Sequence, residues 1–187
     1  FAMLLFILAV IRIPISADEI IVTTCDFESL QSAVERANVA GGIITFDCEG
    51  TILFTDSLML SNTITIDGSG VITFDGNGET HFIEIDNMAT VNLHGIIFEN
   101  GYSEELRATV INSDYTTLTI THSTFRNNLS RAIHNYGDAN LTIDNTIFTD
   151  NNLAMERDAG GAISSGSGYI KIINSQFTNN AVSQAGG

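Results

Sequence analysis

Phenylalanine returns through this chain at a regular interval. Phe54, Phe74, Phe98, Phe125, Phe148 and Phe177 follow one another in steps of 20, 24, 27, 23 and 29 residues. The last four stand in segments built on one template: VNLHGIIFENG (91–101), LTITHSTFRNN (118–128), LTIDNTIFTDN (141–151) and IKIINSQFTNN (170–180). Each reads as a short alternating strand, a two-residue turn, a second strand ending at Phe, then Asn or Asp with Gly or Asn. Self-similarity at this period marks a solenoid. A single unit cannot bury its inner face, so units must stack, and activity must come from what stands on the outer surface.

A second series runs beside the first. The pairs Ile44/Phe46, Ile64/Ile66, Val91/Leu93, Leu118/Ile120, Leu141/Ile143 and Ile170/Ile172 flank Thr45, Thr65, Asn92, Thr119, Thr142 and Lys171. Alternation turns each pair inward and each middle residue outward. A weaker third strand fits Leu58/Leu60, Phe82/Ile85, Val110, Ile133 and Ile163. Three short strands per turn predict an all-β parallel β-helix of about six coils over residues 43–187. At a strand spacing of about 4.8 Å it would stand about 25–30 Å tall. Leucine-rich repeats would need a leucine consensus and a helical segment in each unit. The turns between the first two strands fall at Gly68, Gly95, His122, Asn145 and Asn174, residue types that accept a left-handed backbone.

Composition bounds the partners. Seven Lys and Arg against 22 Asp and Glu give a net charge of −15. Such a surface repels nucleic acid and anionic lipid, so neither is an expected partner. Residues 1–17, FAMLLFILAVIRIPISA, form an apolar run broken by Arg12 and Pro14 and closed by small residues. The run is too short to span a bilayer and reads as the remnant of a secretory signal cleaved near Ala17–Asp18. Cys25 and Cys48 are the only cysteines. Export would pair them in a disulfide, and a cytosolic chain would keep two thiols. Between them Leu30, Val34 and Ala37 recur at helical spacing before Gly41–Gly42, which predicts a helix over about 29–40 within an N-terminal cap, residues 18–42. A cap hides the apolar end and unpaired edge that a stack would otherwise expose. At the other end NNAVSQAGG (179–187) matches the opening of NNLAMERDAGG (151–161), so the repeat is expected to break off in mid-coil.

The segments FRNN (125–128), FTDN (148–151) and FTNN (177–180), with GGAI (160–163), match an F-x-x-N and GGA-[ILV] pairing. In this the chain resembles the repeats of chlamydial polymorphic outer membrane proteins, and more broadly secreted bacterial right-handed β-helix proteins. The run 25–52 followed by TITIDGSG (63–70) is similar to the opening of the broader set. The resemblance implies a right-handed β-helix and an exported passenger region at the cell surface or outer membrane, often adhesive. Its motif residues are architectural there. FENG (98–101) lacks the final Asn, and Ala108–Val110 and Arg131–Ile133 stand where GGA-I would be.

β-Helices also carry polysaccharide lyases and hydrolases, so outward clusters at equal repeat positions are the candidates for chemistry. After the second strand the row reads Thr55, Asp75, Glu99, Arg126, Thr149, Thr178. Asp75, Glu99 and Arg126 in adjacent coils would suit calcium binding and proton abstraction from a uronate, as in a pectate-lyase-like enzyme. The commoner outcome is a surface ion pair. Asp47 and Asp67 follow the first strand in successive coils and are the candidate cation ligands, with Asx-turns as the commoner outcome. Calcium is the one candidate ion, and no cofactor is expected. His81, His94, His122 and His134 are too scattered for a metal set. The outward threonine row raises ice or glycan binding, although β-propensity alone favours Thr there. Two excursions, 101–109 and 152–160, leave the coil on one edge, where solenoids place recognition loops. Asn128-Leu-Ser and Asn140-Leu-Thr are glycosylation sequons.

The leading expectation is an exported display or adhesion scaffold with no catalysis of its own, facing a protein or glycan ligand. Membrane association is expected only through a region beyond residue 187. A polysaccharide lyase or glycoside hydrolase with its site on the outer face is the alternative.

Overall fold

The computed structural model describes residues 18–105, 108–153 and 161–182. Residues 1–17, expected to be a signal remnant, the Gly186–Gly187 end of the broken repeat and most of the 152–160 excursion fall outside these residues.

The chain opens with β1 (Glu19–Val22) and α1 (Phe27–Ala40) and then winds. The first coil holds β2 (Gly42–Phe46), β3 (Gly50–Leu53) and β4 (Leu58–Leu60), and the second β5 (Thr63–Asp75) and β6 (Ile83–Ile85). The third has β7 (Thr90–Glu99) and β8 (Ala108–Asn112), and the fourth β9 (Thr117–Thr121), β10 (Thr124–Arg126) and β11 (Arg131–Asn135). The fifth has β12 (Asn140–Asp144), β13 (Ile147–Thr149), β14 (Asn152–Leu153) and β15 (Ile163–Ser165). The sixth has β16 (Ile170–Ile173), β17 (Gln176–Thr178) and β18 (Ala181–Val182). Every pairing is parallel and joins successive coils. The first and second strands of the coils form one sheet, and β4, β6, β8, β11 and β15 form the opposite wall. The structure is a parallel β-solenoid of the expected kind.

Like residues pile on like. Val91, Leu118, Leu141 and Ile170 stand in register, as do Leu93, Ile120, Ile143 and Ile172. Phe98, Phe125, Phe148 and Phe177 form a second pile, its rings nearly parallel with centroids 4.5, 5.0 and 4.7 Å apart. The first three are fully buried, and Phe177 at the end of the described stack is 45% exposed.

The first coil departs from the expected register by two residues. Gly42 and Ile44, not Ile44 and Phe46, lie beside Ile64 and Ile66. Ile52, not Phe54, lies beside Phe74. A two-residue slip keeps every side chain on its own face, so alternation cannot distinguish the two registers. The freed Phe54 packs on Phe27 of the helix at 5.2 Å and on Phe74 and Phe82 at 4.9 and 5.2 Å. In the third wall Ile83, not Phe82, continues the row from Leu58 to Val110.

The helix begins two residues earlier than expected because Asp26 caps it, its Oδ1 accepting the Ser29 amide at 2.8 Å. Gly41, at φ 74°, ends it. Leu30, Ala33, Val34 and Ala37 face the coil end. Cys25 and Cys48 form a disulfide that ties the residue before the helix cap to the first coil. β1 pairs with β2 and adds a strand to the cap.

The Asn-rich tails of the repeats have two separate causes. Asn100, Asn127, Asp150 and Asn179 all sit at φ near +55°, which Asn and Asp tolerate best after Gly. The next residue points inward. Asn128 Nδ2 donates to the Phe98 carbonyl at 3.2 Å and to Asn151 Oδ1 at 2.7 Å, and Asn151 Nδ2 to the Phe125 carbonyl at 3.0 Å and to Asn180 Oδ1 at 2.8 Å. The row ends at Gly101, whose amide donates to Asn128 Oδ1 at 2.8 Å. A Cβ at Gly101 would stand 2.6 Å from both Phe82 Cε2 and Thr109 Cγ2, so the third coil has no room for Asn there. Left-handed turns fall at Gly95, His122, Asn145 and Asn174 as expected, but not at Gly68. The longer β5 turn shifts the positive φ to Ser69 and Gly70.

Candidate functional site

Registry builds the outer row of candidate residues. Glu99 lies beside Asp75, and Arg126 beside Glu99, because Phe74, Phe98 and Phe125 are paired one residue earlier. The neighbours at either end are Leu53 and Thr149, so the row starts at Leu53 instead of Thr55. Arg126 Nε donates to Glu99 Oε2 at 2.6 Å, with the arginine side chain 42% and the glutamate 18% exposed. Asp75 faces the other way in function: its Oδ1 accepts the Asn77 amide at 2.8 Å and Asn100 Nδ2 at 3.0 Å. The row therefore holds an ion pair and an Asx-turn.

The Asp47 and Asp67 pair does not form. Ile44 pairs with Ile66, so Asp67 lies one residue past that pair and Asp47 three past it. Asp67 pairs with His94 in the next coil, and its Oδ1 accepts the Ser69 amide at 2.8 Å. The Asp67 side chain makes a turn.

The histidines are dispersed over the surface. His94 Nδ1 lies 2.8 Å from Thr121 Oγ1, and its ring lies 5.1 Å from that of His122. His81 Nε2 lies 2.9 Å from Glu84 Oε1. His134 lies beside Tyr136, with ring centroids 5.3 Å apart. Among the described residues no three His, Cys, Asp or Glu side chains are grouped to hold a metal. No described helix is long and apolar enough to cross a membrane.

The first strand's outward row reads Ile43, Thr65, Asn92, Thr119, Thr142, Lys171, with Ile43 in the place expected of Thr45. Of the two excursions, the described part of 101–109 is tied back to the coil. The Ser103 amide donates to Ser130 Oγ at 2.9 Å, whose hydroxyl donates to the Ser103 carbonyl at 3.1 Å.

Sequence reasoning passed over a second inward asparagine row. Asn112 and Asn135 lie in register on the third wall, fully buried, with Asn112 Nδ2 donating to Asn135 Oδ1 at 2.7 Å. The signal was present as the endings VIN (110–112) and AIHN (132–135). Also passed over were four exposed side chains on one corner, Met88, Tyr115, Tyr136 and Tyr169. Their offsets from the following strand differ, so no sequence period links them.

Comparisons with family models, curated proteins and solved structures find no match to this chain.

Proposed function

We propose that this chain is an exported binding and display scaffold, held at or beyond the cell surface, with no catalysis of its own. The observation that carries the reading is the state of its best catalytic candidates. Asp75 Oδ1 takes two donors and Glu99 is paired with Arg126, which supports reading the outer row as structure. A lyase acting on an acidic polymer would also have to hold a polyanion against a chain of net charge −15. Adhesion to a protein or a neutral glycan has no such requirement.

Export is supported by the Cys25–Cys48 disulfide, which persists in oxidising compartments, and by the apolar stretch 1–17 read as a secretory leader. The stack itself suits display, because coils paired in register hold outward side chains in rows.

The test is adhesion. Beads coated with the full chain are washed under flow over immobilised protein and glycan surfaces, beside beads coated with heat-unfolded chain. Retention of only the folded coat on at least one surface is the expected result. Equal retention of both coats, or none, would overturn the reading.

A further inference from the structure

One corner of the stack joins the third wall of each coil to the first strand of the next. Register fixes it. Ile85, Asn112 and Asn135 pair across the wall, and Thr90, Thr117 and Asn140 pair across the following strand. The connecting segments 86–89, 113–116 and 136–139 therefore stack on one edge, followed by 166–168, and Tyr169 stands beside Asn140 just past the last of them. The inward positions of the first three are filled by buried Ala89, Thr116 and Ala139. Each of these three segments nevertheless sets one large side chain in water, and Tyr169 adds a fourth at the head of the next strand. Met88 is 73% exposed, Tyr115 65%, Tyr136 59% and Tyr169 62%.

The same corner is acidic. Asp86, Asp114 and Asp138 are exposed on it, and segments 86–89, 113–116, 136–139 and 166–169 contain no Lys or Arg. Asp114 Oδ1 accepts the Asp138 amide at 2.6 Å, and Asp138 Oδ1 accepts the Ser167 hydroxyl at 2.8 Å. These bonds line the carboxylates along the edge and leave the second oxygen of each without a hydrogen-bond partner among the described residues. A cleft of about 510 Å³ opens on the corner itself, lined by Tyr136, Gly137, Gly166 and Ser167 of its segments and by Arg131 and His134 of the adjoining wall. Arg131 is only 3% exposed and donates to Ser164 Oγ at 2.8 Å, so little of its surface reaches the corner.

We propose that this edge is a docking strip for an extended cationic polypeptide segment. The proposal rests on the scaffold reading and names the partner. Tyrosine faces attract guanidinium and ammonium groups, and the carboxylates between them supply the opposite charge. The net charge of −15 draws such a segment in from a distance. Four coils spaced by about 4.8 Å span about 14 Å, the reach of four or five extended residues. A neutral sugar could bond the carboxylates through its hydroxyls but gains nothing from their charge or from the long-range field, and a polyanion would be repelled.

The test titrates the full chain with a pentapeptide of alternating Lys and Arg, followed by calorimetry and amide chemical shifts. A Glu-rich pentapeptide and a neutral oligosaccharide serve as comparison probes. Shifts should concentrate in 86–89, 113–116, 136–139 and 166–169. Tyr115→Ser with Tyr136→Ser, which changes no charge, should weaken binding about tenfold, whereas Tyr→Phe at both positions should retain it. Glu28→Gln, Glu35→Gln and Glu49→Gln together remove three charges elsewhere and should weaken it less than about threefold, through the screened general field. Equal weakening by the two sets of variants would overturn the strip, as would shifts spread over the acidic surface or preferential binding of the oligosaccharide. If the serine variant does not fold, the shift map on the unsubstituted chain decides. The bead assay can succeed while this titration fails, so failure of the strip is distinguishable from failure of the scaffold reading.

Discussion

Replacing Asn128 by alanine should remove more stability than most polar substitutions. Asn128 is fully buried, and its side chain serves three neighbours at once. Oδ1 accepts the Gly101 amide at 2.8 Å, while Nδ2 donates to the Phe98 carbonyl at 3.2 Å and to Asn151 Oδ1 at 2.7 Å. Alanine leaves the Gly101 N–H without its acceptor inside the stack. The Phe98 carbonyl and Asn151 Oδ1 each lose a donor, although Asn151 Oδ1 keeps the Asn128 amide at 3.4 Å. An orphaned buried donor costs about 1–3 kcal/mol and each of the two other lost hydrogen bonds about 1 kcal/mol, so the expected loss is about 3–5 kcal/mol. Asn140 begins the same Asn-Leu-[Ser/Thr] pattern but is exposed on the coil surface, and Asn140→Ala should change stability by less than about 0.5 kcal/mol. Guanidinium unfolding followed by circular dichroism measures both. Comparable losses for the two variants, or a loss below about 1 kcal/mol for Asn128→Ala, would refute the asparagine row as a structural element.

Other substitutions probe the same account. Asn128→Asp sets a carboxylate oxygen against the Phe98 carbonyl and Asn151 Oδ1, so folding favours the protonated acid and raises its pKa above the usual value near 4. Above that pH the native state holds more protons than the unfolded state, and stability should fall as pH rises; a flat profile would count against it. Phe125→Ala, between rings at 4.5 and 5.0 Å, should cost about 3–5 kcal/mol, and Thr119→Ala on the outer row little; equal effects would reverse the inside and outside faces. Cys25→Ser with Cys48→Ser should lower stability by about 2–4 kcal/mol, and thiol titration of the oxidised chain should find none free. Glu99→Gln should cost under about 1 kcal/mol because its partner Arg126 is 42% exposed.

The solenoid was legible because its signal is redundant. Phe98, Phe125 and Phe148 repeat the same packing problem, and each repeat carries its own turn residue. Register in the first coil was not legible. A slip of two residues exchanges Ile52 for Phe54 and Ile44 for Phe46 without moving an apolar side chain off its face. What decides it is tertiary: Phe54 is taken up by Phe27 of the cap. That same slip separated Asp47 from Asp67. The row Asp75, Glu99, Arg126 was found because it lies one residue past the phenylalanines, where register is best determined. Its roles were not readable, since the turn bonds to Asp75 depend on the left-handed Asn77 and on Asn100 from the next coil. The tyrosine corner escaped because it lies in and beside connecting segments, which only the pairing of the flanking strands aligns from one coil to the next.

The most direct measurement of the central claim is incubation of the oxidised full chain with polygalacturonate, with and without added calcium, followed by absorbance of unsaturated uronate ends. The account predicts no product in either condition, because Glu99 and Arg126 are engaged with each other and Asp75 with its turn. Calcium-dependent release of unsaturated products that is abolished by Arg126→Ala would contradict the scaffold reading and make the row an active site.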